Sequence, residues 1–594
     1  MKLLSKILLP LLLVLAAVCV NGQQLAFPGA EGYGKYASGG RGNGSTGRIA
    51  IVTNLEDDLE NPPVGSLRWA VRQGVEEFVD PIIGPYLVKR PLTVVFRVGG
   101  VINLKGDLRI ERKNITIAGQ TALGDGICLR GGTVNMGGSD NVIVRFIRSR
   151  PGDELGLETS AFRIENGSNF IIDHCSFSWA IEETTHFSSS PNFTVQWCII
   201  SESFYRSFHQ KGDRGYGSQH GGMYASYHHN LMAHHNSRTP RFNGSNENDL
   251  EALIDYRNNV NYNFGRSGSC YGGEWMKTNG LGFAATNMVN NYYIQGPGNY
   301  GTPYFVSPGT GDNGYASWYI DGNVLIGEDE KTTNNWLGVN YSAKDSIRVD
   351  NVIVKSDGGI EDYQSYTESA EEAYLSIIEN VGATFPKRDA HDTRLIKEMT
   401  GEIAIIRYAY TDTAGTESPV KGVETGIIDT QHNLVSPEDR AKGVTPWDVY
   451  PTVDSTNAPV DTDNDGMPDD WELTNGLNPN DSTDFRLITE SGYTNLEVYL
   501  AELVGDEINT AVKQIEQKHS DISVYPNPFS NKLTIKSSGN ITVEVYDLYG
   551  RKITESKSLD PLHSINVDDW DAGFYLIRTT NESGAVNCKK VIKK

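Results

Sequence analysis

Asn114-Ile115-Thr116-Ile117, Asn141-Val142-Ile143-Val144, Asn169-Phe170-Ile171-Ile172 and Asn192-Phe193-Thr194-Val195 are four short apolar runs, each led by an asparagine, at intervals of 27, 28 and 23 residues. A second series, Asn230, Asn259, Asn291, Asn323 and Asn351, follows at intervals of 29, 32, 32 and 28. A fixed spacing of this size marks a solenoid, in which one repeat cannot bury its apolar face alone and gains a core by stacking. A buried Asn at a coil corner can bond its equivalent in the next coil, which satisfies amides that would otherwise cost about 1–3 kcal/mol each. A β-sandwich would instead show turn signals every ~8–12 residues. Cys175 and Cys198 occupy equivalent positions 23 residues apart and read as stacked core thiols. The expected fold is all-β: a right-handed parallel β-helix over 23–445, then a calcium-binding linker, then a small C-terminal β-sandwich.

Working outward, the 594-residue chain is long enough for two to four modules. It carries 75 Asp plus Glu against 52 Lys plus Arg, for a formal charge of −23. That excess excludes a non-specific nucleic-acid binder and argues against docking on an anionic membrane. Six Cys are too few for a disulfide scaffold of this length. Lys2 and Lys6 precede an apolar run from Ile7 to Val20, too short to span a bilayer, so 1–22 reads as a cleaved secretory signal with no integral membrane span. From about Glu361 the pattern turns helical, and 361–400 is expected to cap or brace the solenoid.

Asp461-Thr462-Asp463-Asn464-Asp465-Gly466-Met467-Pro468-Asp469-Asp470-Trp471-Glu472 fits a twelve-residue calcium loop. Asp461, Asp463, Asp465, Asp469 and Glu472 are its expected side-chain ligands, and Met467 offers its carbonyl. Asn478-Pro479-Asn480-Asp481 reads as a partial second site. The segment, within a linker over 446–505, resembles thrombospondin type 3-like repeats that join modules in secreted glycan-degrading enzymes. Its implied role is structural. Beyond it, Val524-Tyr525-Pro526-Asn527-Pro528-Phe529 opens alternating short strands, with Asp547-Leu548-Tyr549-Gly550-Arg551 at a turn and Lys589-Lys590-Val591-Ile592-Lys593-Lys594 at the end. This stretch, 520–594, resembles the sorting domain of the Bacteroidetes type IX secretion system. The resemblance implies that secretion machinery as a partner and export through the outer membrane, to a secreted or cell-surface location.

Chemistry is concentrated between Arg206 and Arg241, where Lys211, Arg214, Arg238, six histidines and the two terminal arginines sit with Asp213 as the sole acid. On an acidic chain, such a cationic stretch suits an acidic glycan. Several motifs occur in order: Ala26-Phe27-Pro28-Gly29-Ala30-Glu31-Gly32-Tyr33-Gly34, Gly65-Ser66-Leu67-Arg68, Ile172-Asp173-His174-Cys175, His228-His229-Asn230 and Ser237-Arg238-Thr239-Pro240-Arg241-Phe242. As a set they resemble pectate lyases of polysaccharide lyase family 1, over roughly 26–400. The resemblance implies a secreted, monomeric lyase that cleaves α-1,4-polygalacturonate by Ca²⁺-assisted β-elimination, giving unsaturated oligogalacturonides. By motif, Arg238 matches the catalytic base. Lys211, Arg241 and His209 match substrate-binding positions. Glu182 and Glu183 match calcium ligands on one coil. On the preceding coil the family has an Asp directly before an Ala, where this chain reads Ser160-Ala161; Glu158 or Asp173 is expected to compensate. Rival readings are a non-catalytic glycan-binding adhesin, a β-helix polygalacturonase using paired carboxylates, and a pectin lyase acting on methyl esters.

Overall fold

The computed structural model describes residues 23–594 except 43, 45, 81–83, 266–267, 277–280, 343, 354–364, 412–416, 419–423, 449–457, 509–522, 538–539, 548–550, 559–561 and 582–585. The signal segment 1–22 lies outside the described residues, as do parts of the linker.

Among the described residues, the strands stack into a ten-stranded, a nine-stranded and an eight-stranded sheet, each built by taking one strand from every coil. All pairings within the three sheets are parallel, as in Ile115 with Val142 and Val142 with Phe170. These are the walls of a parallel β-helix. Its interior is a continuous core in which Phe170 stacks on Phe193 with ring centroids 4.3 Å apart, and Val142, Ile172 and Val195 are fully buried or nearly so. Cys175 and Cys198 are buried free thiols inside it.

The two asparagine series do different work. Asn114, Asn141, Asn169 and Asn192 have φ of 57°, 60°, 50° and 56°. They enter the ten-stranded sheet through the left-handed region, which Asn tolerates better than most residues. Asn230, Asn259, Asn291 and Asn323 form the buried ladder: the N–H of each donates to the Oδ1 of the next, at 3.0, 2.9 and 3.0 Å. The ladder does not reach Asn351. The chain turns into a short helix at Asp329–Thr333, and Asn335 accepts from the Asn323 N–H at 2.7 Å, closing the series.

Two faces of the solenoid are covered. The expected helical brace is Ala370–Asn380 and Ala390–Met399. It lies along the nine-stranded sheet rather than over an end: Ala370, Tyr374, Ile377 and Leu395 pack on Leu231, Val260, Tyr292 and Val324. The N-terminal segment crosses the ten-stranded sheet, where Ala26, Phe27, Ala30 and Ala37 cover Ile143 and Ile171. Burial on both faces explains why these strands read as unbroken apolar runs. The calcium-loop segment, expected as a linker, is docked on the same sheet: Met467, Leu496 and Leu500 bury against Val95 and Ala118. The C-terminal module forms a three-stranded and a four-stranded antiparallel sheet around Leu533, Val543, Ile577 and Val591. No helix among the described residues is long and apolar enough to cross a membrane.

Candidate active site

The eight-stranded sheet is the face on which most of the candidate residues meet. Register sets the site: Glu183 pairs with Tyr216, His186 with Gln219, and Gln219 with Arg241, while Tyr216 bridges Ser237. Residues far apart in sequence thus stand side by side on one wall. Arg238, at φ 58°, lies in the left-handed region, a strained backbone that costs on the order of 1–3 kcal/mol and tends to mark function. Its Nη1 donates to Glu183 and, at 2.8 Å, to Gln219 Oε1. The Tyr216 ring lies against two guanidinium groups, 4.2 Å from Arg238 and 4.4 Å from Arg214. Arg214 also donates to Glu182.

Glu182, His209 and Glu158 converge, with ligand atoms within 4.8 Å of one another. His209 Nε2 lies 2.6 Å from Glu182 Oε1 and 3.5 Å from Glu158. Its Nδ1 accepts the Lys211 N–H at 2.9 Å, so the imidazole proton is on Nε2. The His209 side chain is fully buried. Expected from sequence at a substrate-binding position, it is placed against Glu182 and Glu158 with no exposed side-chain surface. Lys211 is exposed, and its ammonium makes no ion pair among the described residues. Arg241 bonds Asn243 at 3.1 Å and Glu274 at 3.3 Å.

Electrostatics fix the protonation states. Burial pushes the Glu183 carboxyl up, but His186 and Arg238 outweigh it and hold it at about 2. The His186 hydrogen bond holds Glu165 at about 2 as well, against burial and with help from Arg163. Both are carboxylates at neutral pH. Burial alone would lower His186; Glu165 and Glu183 raise it.

Two sequence expectations fail here. Asp173 does not join Glu182 and Glu183. It ends a strand of the ten-stranded sheet, fully buried, where it accepts from Arg145 and Gln196 at 2.7 Å and lies 2.9 Å from His174. Glu158, two residues ahead of Ser160, is the acid that reaches the pair. The cationic stretch also dissolves. His220, His228, His234 and His235 are wholly buried, and burial drives their pKa down. Of the stretch's cations, Arg206, Lys211, Arg214, Arg238 and Arg241 stay outside the interior, and the last four are interleaved with Glu158, Glu182, Glu183 and Glu274. Tyr216, Gln219, Asn243 and Glu274 were not singled out from sequence; only the register of 33 and 22 residues linking His186, Gln219 and Arg241 could have found them.

The calcium loop shows a different character. Asp461, Asp463 and Asp465 cluster, as do Asp465, Glu472 and Asp484, each set within 4.8 Å. Both oxygens of Asp463 and of Glu472, Asp465 Oδ2 and Asp484 Oδ1 are buried with no hydrogen-bond partner. Buried orphan carboxylate oxygens call for a cation, and an all-oxygen set suits Ca²⁺. Burial and mutual repulsion push Asp465 to about 8 and Glu472 to about 7. Asp469 is not in the cluster: its carboxylate accepts from the Thr462 N–H at 2.8 Å and hydroxyl at 2.7 Å. Asp484 takes its place. Met467 turns its side chain into the sheet contact. Asp481 joins no cluster of acidic, histidine or cysteine ligands among the described residues.

Comparison with known proteins gives the chain its family. A family model for the secretion system C-terminal sorting domain matches residues 523–594, a signal for export through the outer membrane. The chain is similar to a pectate lyase from Bacillus sp. N165 solved with trigalacturonate, at 16% identity and a TM-score of 0.35, over 59% of this chain and 98% of that one. It is 33% identical over 482 residues to the probable pectate lyase C of Aspergillus terreus, spanning 81% of this chain and 94% of that protein. With the probable pectate lyase C of Emericella nidulans it shares 34% identity over 501 residues, 83% of its own length and 96% of its relative's. On that similarity, carried across nearly the whole of both fungal proteins, the chain belongs to the pectate lyase family.

Proposed function

We propose that this pectate lyase cleaves polygalacturonate by Ca²⁺-assisted β-elimination on the eight-stranded face, with Arg238 taking the C5 proton. The observation that carries the reading is the meeting of Arg238 with Glu183 beside Glu182 and Glu158, on one wall. The proton next to a uronate carboxylate is weakly acidic, and its loss builds a dianion that needs positive charge. A bound divalent cation supplies that charge at the substrate carboxylate. Glu158, Glu182 and Glu183 are the oxygen donors that would hold it. Their present partners are His209, Arg214 and Arg238, so occupancy requires these pairs to loosen.

That exchange bears on how an arginine acts as a base. A free guanidinium keeps its proton at any ordinary pH. Glu183 now holds the Arg238 guanidinium, which shares the Tyr216 ring with Arg214; drawing Glu183 toward a cation would release Arg238 to face the substrate. Lys211 is assigned to a substrate carboxylate and Arg241 to a substrate or leaving-group oxygen. A hydrolase is disfavoured, because it needs a carboxylic acid still protonated near neutrality, whereas Glu165 and Glu183 are ionised.

The test is ultraviolet absorbance of the C4–C5 unsaturated product on polygalacturonate, with and without chelator. Wild type is expected to form it only with Ca²⁺. Arg238→Lys, which keeps charge but loses the planar fork, is expected to lose about 10²-fold or more in kcat. Saturated products, or an undiminished rate in the variant, would remove the assignment.

A further inference from the structure

The calcium-loop segment touches the solenoid at the same points where it gathers its acids. Asp461 Oδ2 accepts from Arg97 Nη2 of the β-helix at 2.7 Å. Gly466, at φ 94°, faces the sheet, where an added Cβ would meet the Ile49 and Val95 side chains at 3.6 Å, ordinary van der Waals contact. Met467, the next residue, is fully buried against Val95 and Ala118. Further along, Arg41 pairs with Glu497, and Arg145 Nη1 donates to Asp506 at 2.9 Å. Phe485, directly after Asp484, belongs to the same apolar cluster as Met467 and Leu496.

Left without a cation, the loop is unfavourable as built. Glu472, Asp465 and Asp484 are 0%, 1% and 5% exposed, and orphaned oxygens of all three face one another. Repulsion among five carboxylates would open the loop, and opening it withdraws Asp461 from Arg97 and Met467 from the sheet. Local ion binding and docking on the solenoid are therefore one event.

We propose that Asp461, Asp463, Asp465, Glu472 and Asp484 bind a single Ca²⁺ that clasps the 460–506 segment onto the first coils of the β-helix. The ion lies over the ten-stranded sheet, whereas the candidate active site is on the eight-stranded sheet. Its function is mechanical, and it stands whether or not the lyase mechanism does.

The test uses the full-length protein and hydrogen exchange read by peptide, with Ca²⁺ and after chelation. In wild type, chelation is expected to speed exchange in 460–506 together with the strands Arg48–Val52 and Leu92–Phe96. Faster exchange in the loop alone would make the ion a local ligand and overturn the clasp, as would no change in either. Calcium titration by calorimetry checks the ligand set: Asp484→Asn is expected to weaken this site about 10-fold or more, and Asp469→Asn to leave it within about 5-fold. Wild-type affinity in Asp484→Asn, or an equal loss in Asp469→Asn, would overturn the assignment of Asp484. The wild-type arm needs no variant to fold.

Discussion

At the scale of single residues, some carboxylates are tied into the fold and others are left on the eight-stranded wall. Asp173 belongs to the first kind. Burial would raise its pKa, but His174 and Arg145 hold it well below the usual carboxylate range. The folded state therefore binds this proton more weakly than the unfolded chain. Its stabilisation is complete above about pH 4, the unfolded value, and is lost as pH falls toward the folded one. Asp173→Asn is expected to cost about 1–3 kcal/mol at neutral pH, because it removes one of Arg145's two carboxylate partners and leaves Asp506 as the other, and to flatten the acid limb of a Tm-against-pH curve; an unchanged limb would count against the pairing. Glu158 belongs to the second kind. Being exposed, it contributes little to folding. Glu158→Gln is expected to leave Tm within about 1–2 °C while raising several-fold the Ca²⁺ concentration needed for half-maximal lyase activity.

At the scale of elements, the asparagines were legible because each task is chemically narrow. The left-handed entry to a strand admits few side chains, and an amide ladder admits only a side chain that both donates and accepts. In the ladder, the Asn259 Nδ2 donates to Tyr227 O at 2.9 Å and to Asn291 Oδ1 at 3.0 Å. Asn259→Ala would orphan buried partners on both sides and is expected to destabilise the solenoid by about 3 kcal/mol, read as a lowered midpoint in denaturant unfolding. Orientation around the coil was not legible. His220, His228, His234 and His235 read as surface cations in the sequence, yet all four are buried: His220 stacks on Tyr227 in the interior with centroids 3.8 Å apart, and His234 lies beneath the helical brace, 3.1 Å from Glu398. Asp484 was hidden for another reason. It comes from beyond the helix Asp469–Thr474, outside the twelve-residue spacing that defines the loop.

At the scale of the whole molecule, a net charge of −23 meets a polyanionic substrate. The eight-stranded wall offers cations interleaved with acids rather than a positive field, so approach is opposed at long range and favoured only on contact. Screening should then help. Raising ionic strength from about 0.01 to 0.15 M shortens the Debye length from ~30 to ~8 Å, and at fixed free Ca²⁺ kcat/KM on long polygalacturonate is expected to rise. A fall would indicate electrostatic steering by a positive surface.

The helical brace and the docked 460–506 segment each occupy one wall of a three-walled cylinder. Lengthening or reshaping a loop on either of those walls would disturb what rests there. Among the described residues the third wall carries no such passenger, so its loops are free to diverge. Relatives that prefer different sugar decorations should accordingly differ most along the rim of that wall, while the Phe and Asn columns behind it stay the same.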